Sequence, residues 1–275
     1  MKNNNFILRT ITGAVYVALI VSSVILHKLF FATLMLIFMI FSLTEFYSFF
    51  RKSQIKVQSF TGVLFASILY CIVSFIAYTN SNIELLIITL PLFFIIIISE
   101  IFLKNETPIQ NTAITILGII YIALPLSLLN FFYSPSFEEN QKMYSLLLGY
   151  FILVWSNDTF AYLVGTKFGK RKLIERISPK KTWEGTIGGG LISVVVSIIL
   201  SLFFKELNIV QWIILSLIII VSGTFGDLAE SMFKRSMNIK DSGKILPGHG
   251  GFMDRLDAVY ISSPFVFLYL VIIFA

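Results

Sequence analysis

The stretch Ile83-Glu84-Leu85-Leu86-Ile87-Ile88-Thr89-Leu90-Pro91-Leu92-Phe93-Phe94-Ile95-Ile96-Ile97-Ile98-Ser99-Glu100-Ile101-Phe102-Leu103 is almost unbroken aliphatic and aromatic side chain, with a carboxylate near each end. As an α-helix, about 20 such residues cross the roughly 30 Å hydrocarbon core of a bilayer. Pro91 is no objection, because neighbouring helices can satisfy the carbonyl that a proline frees in a membrane segment. Working outward, eight more segments obey the same rule, at about 10–27, 29–50, 59–79, 111–133, 143–166, 183–204, 210–229 and 256–275. Polar or turn-forming breaks separate them, among them Arg51-Lys52-Ser53-Gln54, Thr79-Asn80-Ser81-Asn82, Lys104-Asn105-Glu106-Thr107-Pro108 and Ser134-Pro135-Ser136.

Composition agrees with that reading. Of 275 residues, 57% are apolar or aromatic and 13% are charged, and the mean hydropathy is +0.88. A soluble domain carries about 25% charged residues, so an ordinary soluble globule is excluded. Disorder needs few aromatics, and here they make up 15%. The fold class expected is an all-α, polytopic integral membrane protein of nine transmembrane helices. Cys71 is the single cysteine and lies in an apolar run, which excludes an intramolecular disulfide or a cysteine metal cluster. No small-x-small cleavage site follows the apolar stretch Ile11 to Leu26, so it is expected to be an uncleaved first span.

Positive charge sets the orientation. With the N-terminus in the cytoplasm, that side receives Lys2 and Arg9, then Arg51, Lys52 and Lys56, then Lys104. It also receives Lys167, Lys170, Arg171, Lys172, Arg176, Lys180 and Lys181, and finally Lys234, Arg235, Lys240, Lys244 and Arg255. Only Lys28, Lys142 and Lys205 fall outside, and a wrong span count would scramble that asymmetry. The C-terminus is therefore expected outside, and the basic charge (+6 net) reads as attraction to membrane lipid rather than nucleic acid. Within one membrane domain, 1–275, the organisation expected is a helical scaffold of five spans over 1–133. A catalytic half of four spans follows over 143–275, with cytoplasmic loops 167–182 and 230–255.

Those two loops carry more than charge. Asp227 stands in Ser222-Gly223-Thr224-Phe225-Gly226-Asp227-Leu228-Ala229-Glu230-Ser231, and on a helix it shares a face with Glu230, Ser231 and Lys234. A carboxylate inside a membrane helix costs about 2.5–3.5 kcal/mol on insertion scales and is a functional candidate by default. An interfacial acid reaching back to water is the plainer alternative. The glycines beside Asp227 would let another backbone or a ligand approach and favour function.

The run from Lys240-Asp241-Ser242-Gly243-Lys244 through Pro247-Gly248-His249-Gly250-Gly251 to Asp254, Arg255 and Asp257 is too rich in Gly and Pro for a helix interior. Its backbone N–H groups could face an anion. Asp257 alone could be a helix-start carboxylate, and His249 could be a phosphate donor, a general acid or only a loop residue. Asn157 and Asp158 lie mid-span. Ser178-Pro179-Lys180-Lys181-Thr182-Trp183-Glu184-Gly185 opens the seventh span, followed by Gly188-Gly189-Gly190, which reads as close helix packing. Lys180 and Lys181 could be simple positive-inside anchors, although Thr182 and Glu184 argue for more. Glu45 and Glu100, at cytoplasmic span ends, could line a cavity, but snorkelling to water is the expectation.

Acids at 158, 184, 227, 254 and 257 thus converge with at least six cations on the cytoplasmic leaflet. Without a His/Cys cluster zinc is not expected, while oxygen ligands beside phosphate-binding cations suit Mg²⁺. No Ser-His-Asp arrangement is visible. Metal-assisted phosphoryl or nucleotidyl transfer on a lipid is the chemistry implied.

The run Ser231-x-Phe233-Lys234-Arg235-x₄-Lys240-Asp241-x₅-Pro247-Gly248-His249-Gly250-Gly251-x₂-Asp254-Arg255-x-Asp257 resembles the signature of the phosphatidate cytidylyltransferases, the CDP-diacylglycerol synthases. Segment 178–185, the stretch from Asn157-Asp158 to Gly165 and, weakly, Arg9 to Gly13 resemble it too. The resemblance implies CMP transfer from CTP to phosphatidic acid, with Mg²⁺ (a second cation left open), in a multi-helix membrane fold that dimerises. By motif, Asp227 and Asp254 would be metal ligands and catalytic together with Lys234 and Arg255, with Asp257 a further metal candidate. Substrate binding would fall to Lys180, Lys181, Ser231, Arg235, Lys240, Asp241, Lys244, His249, Gly250, Gly251 and Asp158. The site would face the cytoplasm at the cell membrane. A CTP-dependent lipid kinase or another CDP-lipid synthase is the near rival. An ion-coupled transporter is the distant one, since it would place its polar groups near the midplane.

Overall fold

The computed structural model describes residues 2–51, 55–135, 143–239, 243 and 250–274. Each of the nine apolar segments is helical. Helix α1 is Lys2–Leu26, α2 Lys28–Arg51 and α3 Ser59–Thr79, the last ending on Asn80 in the left-handed conformation. The fourth segment enters by a 3₁₀ turn, Ile83–Thr89, and continues as α4, Leu90–Leu103, with Pro91 in its first turn where no helical hydrogen bond is lost. The fifth is α5, Pro108–Gly118, a π-helical stretch Ile119–Ala123, α6, Leu124–Leu128, and a 3₁₀ turn Leu129–Tyr133. Then come α7, Met143–Phe168; α8, Trp183–Phe203; α9, Ile209–Ser236; and α10, Met253–Phe274. Among the described residues, eight segments are long and apolar enough to span a membrane, and the first contributes a shorter apolar helix, Thr10–Leu26.

The loop between α7 and α8 adds what the sequence did not announce. Strands β1, Lys172–Ile174, and β2, Ser178–Thr182, form an antiparallel hairpin pairing Lys172 with Thr182 and Ile174 with Ser178. At its base Glu184 accepts the backbone N–H groups of Lys170 (3.0 Å) and Arg171 (3.1 Å), and Trp183 N donates to Arg171 O (2.9 Å). Thr182 caps α8 by accepting from Gly185 N at 3.2 Å.

The chain divides into two compact units, Met1–Pro135 with Ser236–Leu256, and Ser136–Arg235 with Asp257–Ala275. In the first, Tyr47 of α2 is buried and donates from its hydroxyl to Thr115 O at 2.8 Å. Gly62 and Gly118 make this possible, since a Cβ at Gly62 would fall 2.6 Å from the Tyr47 hydroxyl. Glu100 does not snorkel: it is only 5% exposed. Its carboxylate accepts from Gln58 Nε2 (2.6 Å), Asn111 Nδ2 (2.7 Å) and Asn105 Nδ2 (2.9 Å), so amide donors replace the water that snorkelling would have supplied.

In the second unit the triple glycine packs helices, as its sequence suggests. A Cβ at Gly189 would lie 2.6 Å from Ala161 N, and one at Gly185 2.7 Å from Ala161 O, so α8 rests directly on the α7 backbone. Tyr150 and Ser262 join α7 to α10 through a buried hydroxyl pair at 2.6 Å.

Candidate active site

Within the second unit, α7, β2, α9 and α10 bring the charged residues together. Gly226 packs against the backbone of Asp257 and Ala258, and a Cβ there would overlap the Asp257 carbonyl oxygen. That close approach sets Asp257 beside Asp227. The Asp257 carboxylate is repelled by Asp227, Glu230 and Asp158 and attracted by Lys181. Lys181 of β2 forms an ion pair with Asp227, both side chains partly exposed at 28% and 18%. One helical turn past Asp227, the Glu230 carboxylate is only 2% exposed and accepts from Lys234 Nζ at 2.9 Å.

The neighbouring candidates lie around this group. Arg235 Nε donates to Ile177 O at 3.4 Å, at the hairpin turn. Lys180 is exposed on β2 and Ser231 half-buried on α9. Next to Asp158, Asn157 is 5% exposed and its Oδ1 has no hydrogen-bond partner among the described residues.

Asp254, Arg255, Gly250 and Gly251 belong to the first unit. Gly250 holds φ +86, which glycine adopts without strain, and Gly251 N donates to Asp254 Oδ2 at 2.9 Å. A Cβ at Gly250 would come within 2.6 Å of that same oxygen, so the two glycines wrap the Asp254 carboxylate. The Tyr16 hydroxyl donates to Arg255 O at 3.2 Å. Lys240, Asp241, Lys244 and His249 lie outside the described residues.

One expectation changes. Asp254 is the acid in the first turn of α10, which begins at Met253. Asp257 lies one turn further in, among the acids of α7 and α9, and is not a helix-start carboxylate.

The chain matches the cytidylyltransferase family over residues 7–273. It belongs to that family. It is 38% identical over 180 residues to a protein of Staphylococcus aureus (strain COL) named phosphatidate cytidylyltransferase, covering 65% of this chain and 66% of that one. A protein of the same name from Staphylococcus haemolyticus is 38% identical over 193 residues, covering 70% and 71%. One from Rickettsia prowazekii is 42% identical over 159 residues, covering 55% and 68%. The chain thus aligns with about two thirds of the length of these relatives.

Two acids of this family member carry more than the sequence reading assigned to them. Glu230 was legible only as sharing the face of Asp227, yet it is the most buried acid near that aspartate. Glu45 of α2, expected to snorkel, is 4% exposed and accepts from Met253 N at 3.0 Å. The available signal was a lone carboxylate in an apolar helix, which does not say where a partner will come from.

Proposed function

We propose that the chain transfers CMP from CTP to phosphatidic acid, giving CDP-diacylglycerol and pyrophosphate for phospholipid synthesis. The observation that carries this reading is the group Asp158, Asp227, Glu230 and Asp257 with Lys181 and Lys234 against it, in a membrane-spanning member of this family. The lipid phosphate is itself an anionic nucleophile. One of its oxygens attacks the CTP α-phosphorus, the bond to the bridging oxygen of the β-phosphate breaks, and pyrophosphate leaves with that electron pair. No side-chain nucleophile or strong base is then needed, and catalysis reduces to positioning and charge neutralisation. Lys181 and Lys234 are suited to balance phosphate charge as it shifts toward the leaving group.

The donor set fits Mg²⁺. Among the described residues no group of three or more His, Cys, Asp or Glu side chains forms a ready-made metal cage. Mg²⁺ is usually held by one or two carboxylates plus substrate phosphates, and Asp257 lies within reach of the charges of Asp227, Glu230 and Asp158. Asp227 and Asp257 would hold it, with Asp254 a further ligand proposed from the motif. When bound, Mg²⁺ would neutralise charge on the transferring phosphate.

The excess of Lys and Arg in alternate loops supports a cytoplasmic site at the cell membrane, and the family resemblance supports a homodimer. The deciding experiment incubates purified protein in detergent with radiolabelled CTP, phosphatidic acid and Mg²⁺. Labelled CDP-lipid with pyrophosphate is expected. Phosphorylated lipid with CDP would instead identify a CTP-dependent lipid kinase.

A further inference from the structure

Within the first unit, the start of α10 is held by α1 and α2. Phe252 is buried against Phe38 and Phe41, with ring centroids 5.1 and 5.0 Å away. Tyr16, stacked on Phe38 at 5.8 Å, holds Arg255 O. Between these contacts Glu45 enters from α2. One carboxylate oxygen accepts from Met253 N, the first N–H of α10. The other, Oε1, is buried with no hydrogen-bond partner among the described residues. Gly243, in the glycine-rich loop, abuts the same carboxylate: a Cβ there would sit 2.8 Å from Glu45 Cδ and closer still to Oε1. Asp254 is near enough for its charge to act on Glu45.

A buried carboxylate in a membrane helix is costly, and its retention beside a second acid calls for a reason. We infer that Glu45 is a positioning residue for the transfer reaction: it caps α10 and packs against Gly243, so that Asp254 is presented in one orientation. This inference rests on the proposed cytidylyl transfer only for its kinetic readout. An acceptor at the Met253 N–H sets the direction of the first turn, which carries Asp254. The Glu45 carboxylate in turn explains why residue 243 is glycine.

The test compares Glu45→Ala, Glu45→Gln, Gly243→Ala and the Glu45→Ala/Gly243→Ala double variant in the full-length protein. Partners that orient a metal ligand typically cost about 10–100-fold when removed. Glu45→Ala should lower kcat by about that factor and raise the Mg²⁺ concentration needed for half-maximal rate. KM for CTP should change little. Glu45→Gln keeps an acceptor for the Met253 N–H and should recover most of the rate. Gly243→Ala should be damaging in the wild-type background and neutral in the Glu45→Ala background, where the clash is gone. Amide hydrogen exchange supplies an activity-independent arm, with protection at Met253 falling in Glu45→Ala and kept in Glu45→Gln. Wild-type kcat in Glu45→Ala, or equal harm from Gly243→Ala in both backgrounds, would overturn the inference. If wild-type protein makes no CDP-lipid, the proposed function fails, while the exchange arm still decides the Glu45 contact.

Discussion

Lys181, on the second strand of the hairpin, forms an ion pair with Asp227 of α9, 46 residues further along the chain. The pair ties the hairpin to the helix carrying the acids and puts one cation where several carboxylates repel. Its value is electrostatic rather than structural, because both side chains are partly exposed.

Replacing Lys181 should therefore separate activity from stability. An ion pair this exposed contributes about 0–1 kcal/mol to folding, so Lys181→Ala should melt close to wild type. Turnover should fall at least about tenfold, the size of one lost charge-assisted contact of roughly 1.5–3 kcal/mol to a phosphate. Thermal unfolding and CTP kinetics on the same preparation check both halves. A large fall in melting temperature with normal specific activity would make Lys181 a structural anchor.

Gly226 makes the opposite prediction. Its hydrogen faces the carbonyl oxygen of Asp257, so an added methyl must push α9 from α10. Overpacking of this kind costs about 1–3 kcal/mol, and Gly226→Ala should lower both stability and activity. Gly190→Ala is the milder comparison, because the nearest atoms to a Cβ there are side-chain carbons of Ile220, the closest being Cγ2 at 3.2 Å, rather than backbone. Equal tolerance at both positions would show that the approach of α9 to α10 is dispensable.

The contrast between Gly226 and Glu184 shows where the sequence was legible. Apolar length located the eight helices long enough to span a membrane and the shorter first one, because a bilayer imposes one length on each helix, and glycines beside a helical acid pointed to the close approach that now sets Asp257 near Asp227. The hairpin at 172–182 was not legible. Its strands are short and basic, and much of its anchoring is backbone donation to Glu184, whose place in the sequence argues for a role without revealing those donors. Glu45 and Glu100 are buried rather than snorkelling for a related reason. At a span end, water and a distant protein donor are equally plausible partners, and only the fold supplied Met253 N and the amides of Gln58, Asn105 and Asn111.

Topology is checked independently of activity. Reporters fused after residue 275 should report the outside, and reporters placed in 167–182 the cytoplasm, because 18 of the 21 Lys and Arg residues fall on one side in the nine-span arrangement. A cytoplasmic C-terminus would overturn that arrangement and the proposed side of the site with it.

The proposed metal ligands make the sharpest prediction. Asp227→Asn and Asp254→Asn should each abolish turnover while the protein stays folded. Asn keeps the size of the side chain and one acceptor oxygen, so the Gly251 N–H that now meets Asp254 still has a partner. What is lost is the negative charge that offsets a cation, and Mg²⁺ held by few protein ligands tolerates that poorly. Losing the metal's charge stabilisation should cost several kcal/mol of barrier, about a thousandfold or more in rate at roughly 1.4 kcal/mol per decade. Asp257→Asn belongs with them, because Asp257 lies among the acids of α7 and α9 rather than in the first turn of its helix. The measurement is kcat across a Mg²⁺ titration, with size-exclusion profiles as the folding control. Excess Mg²⁺ should recover part of the rate if a weakened site is the cause. Wild-type turnover in the Asp227 or Asp254 variant would remove that residue from the metal site, whatever the family match implies.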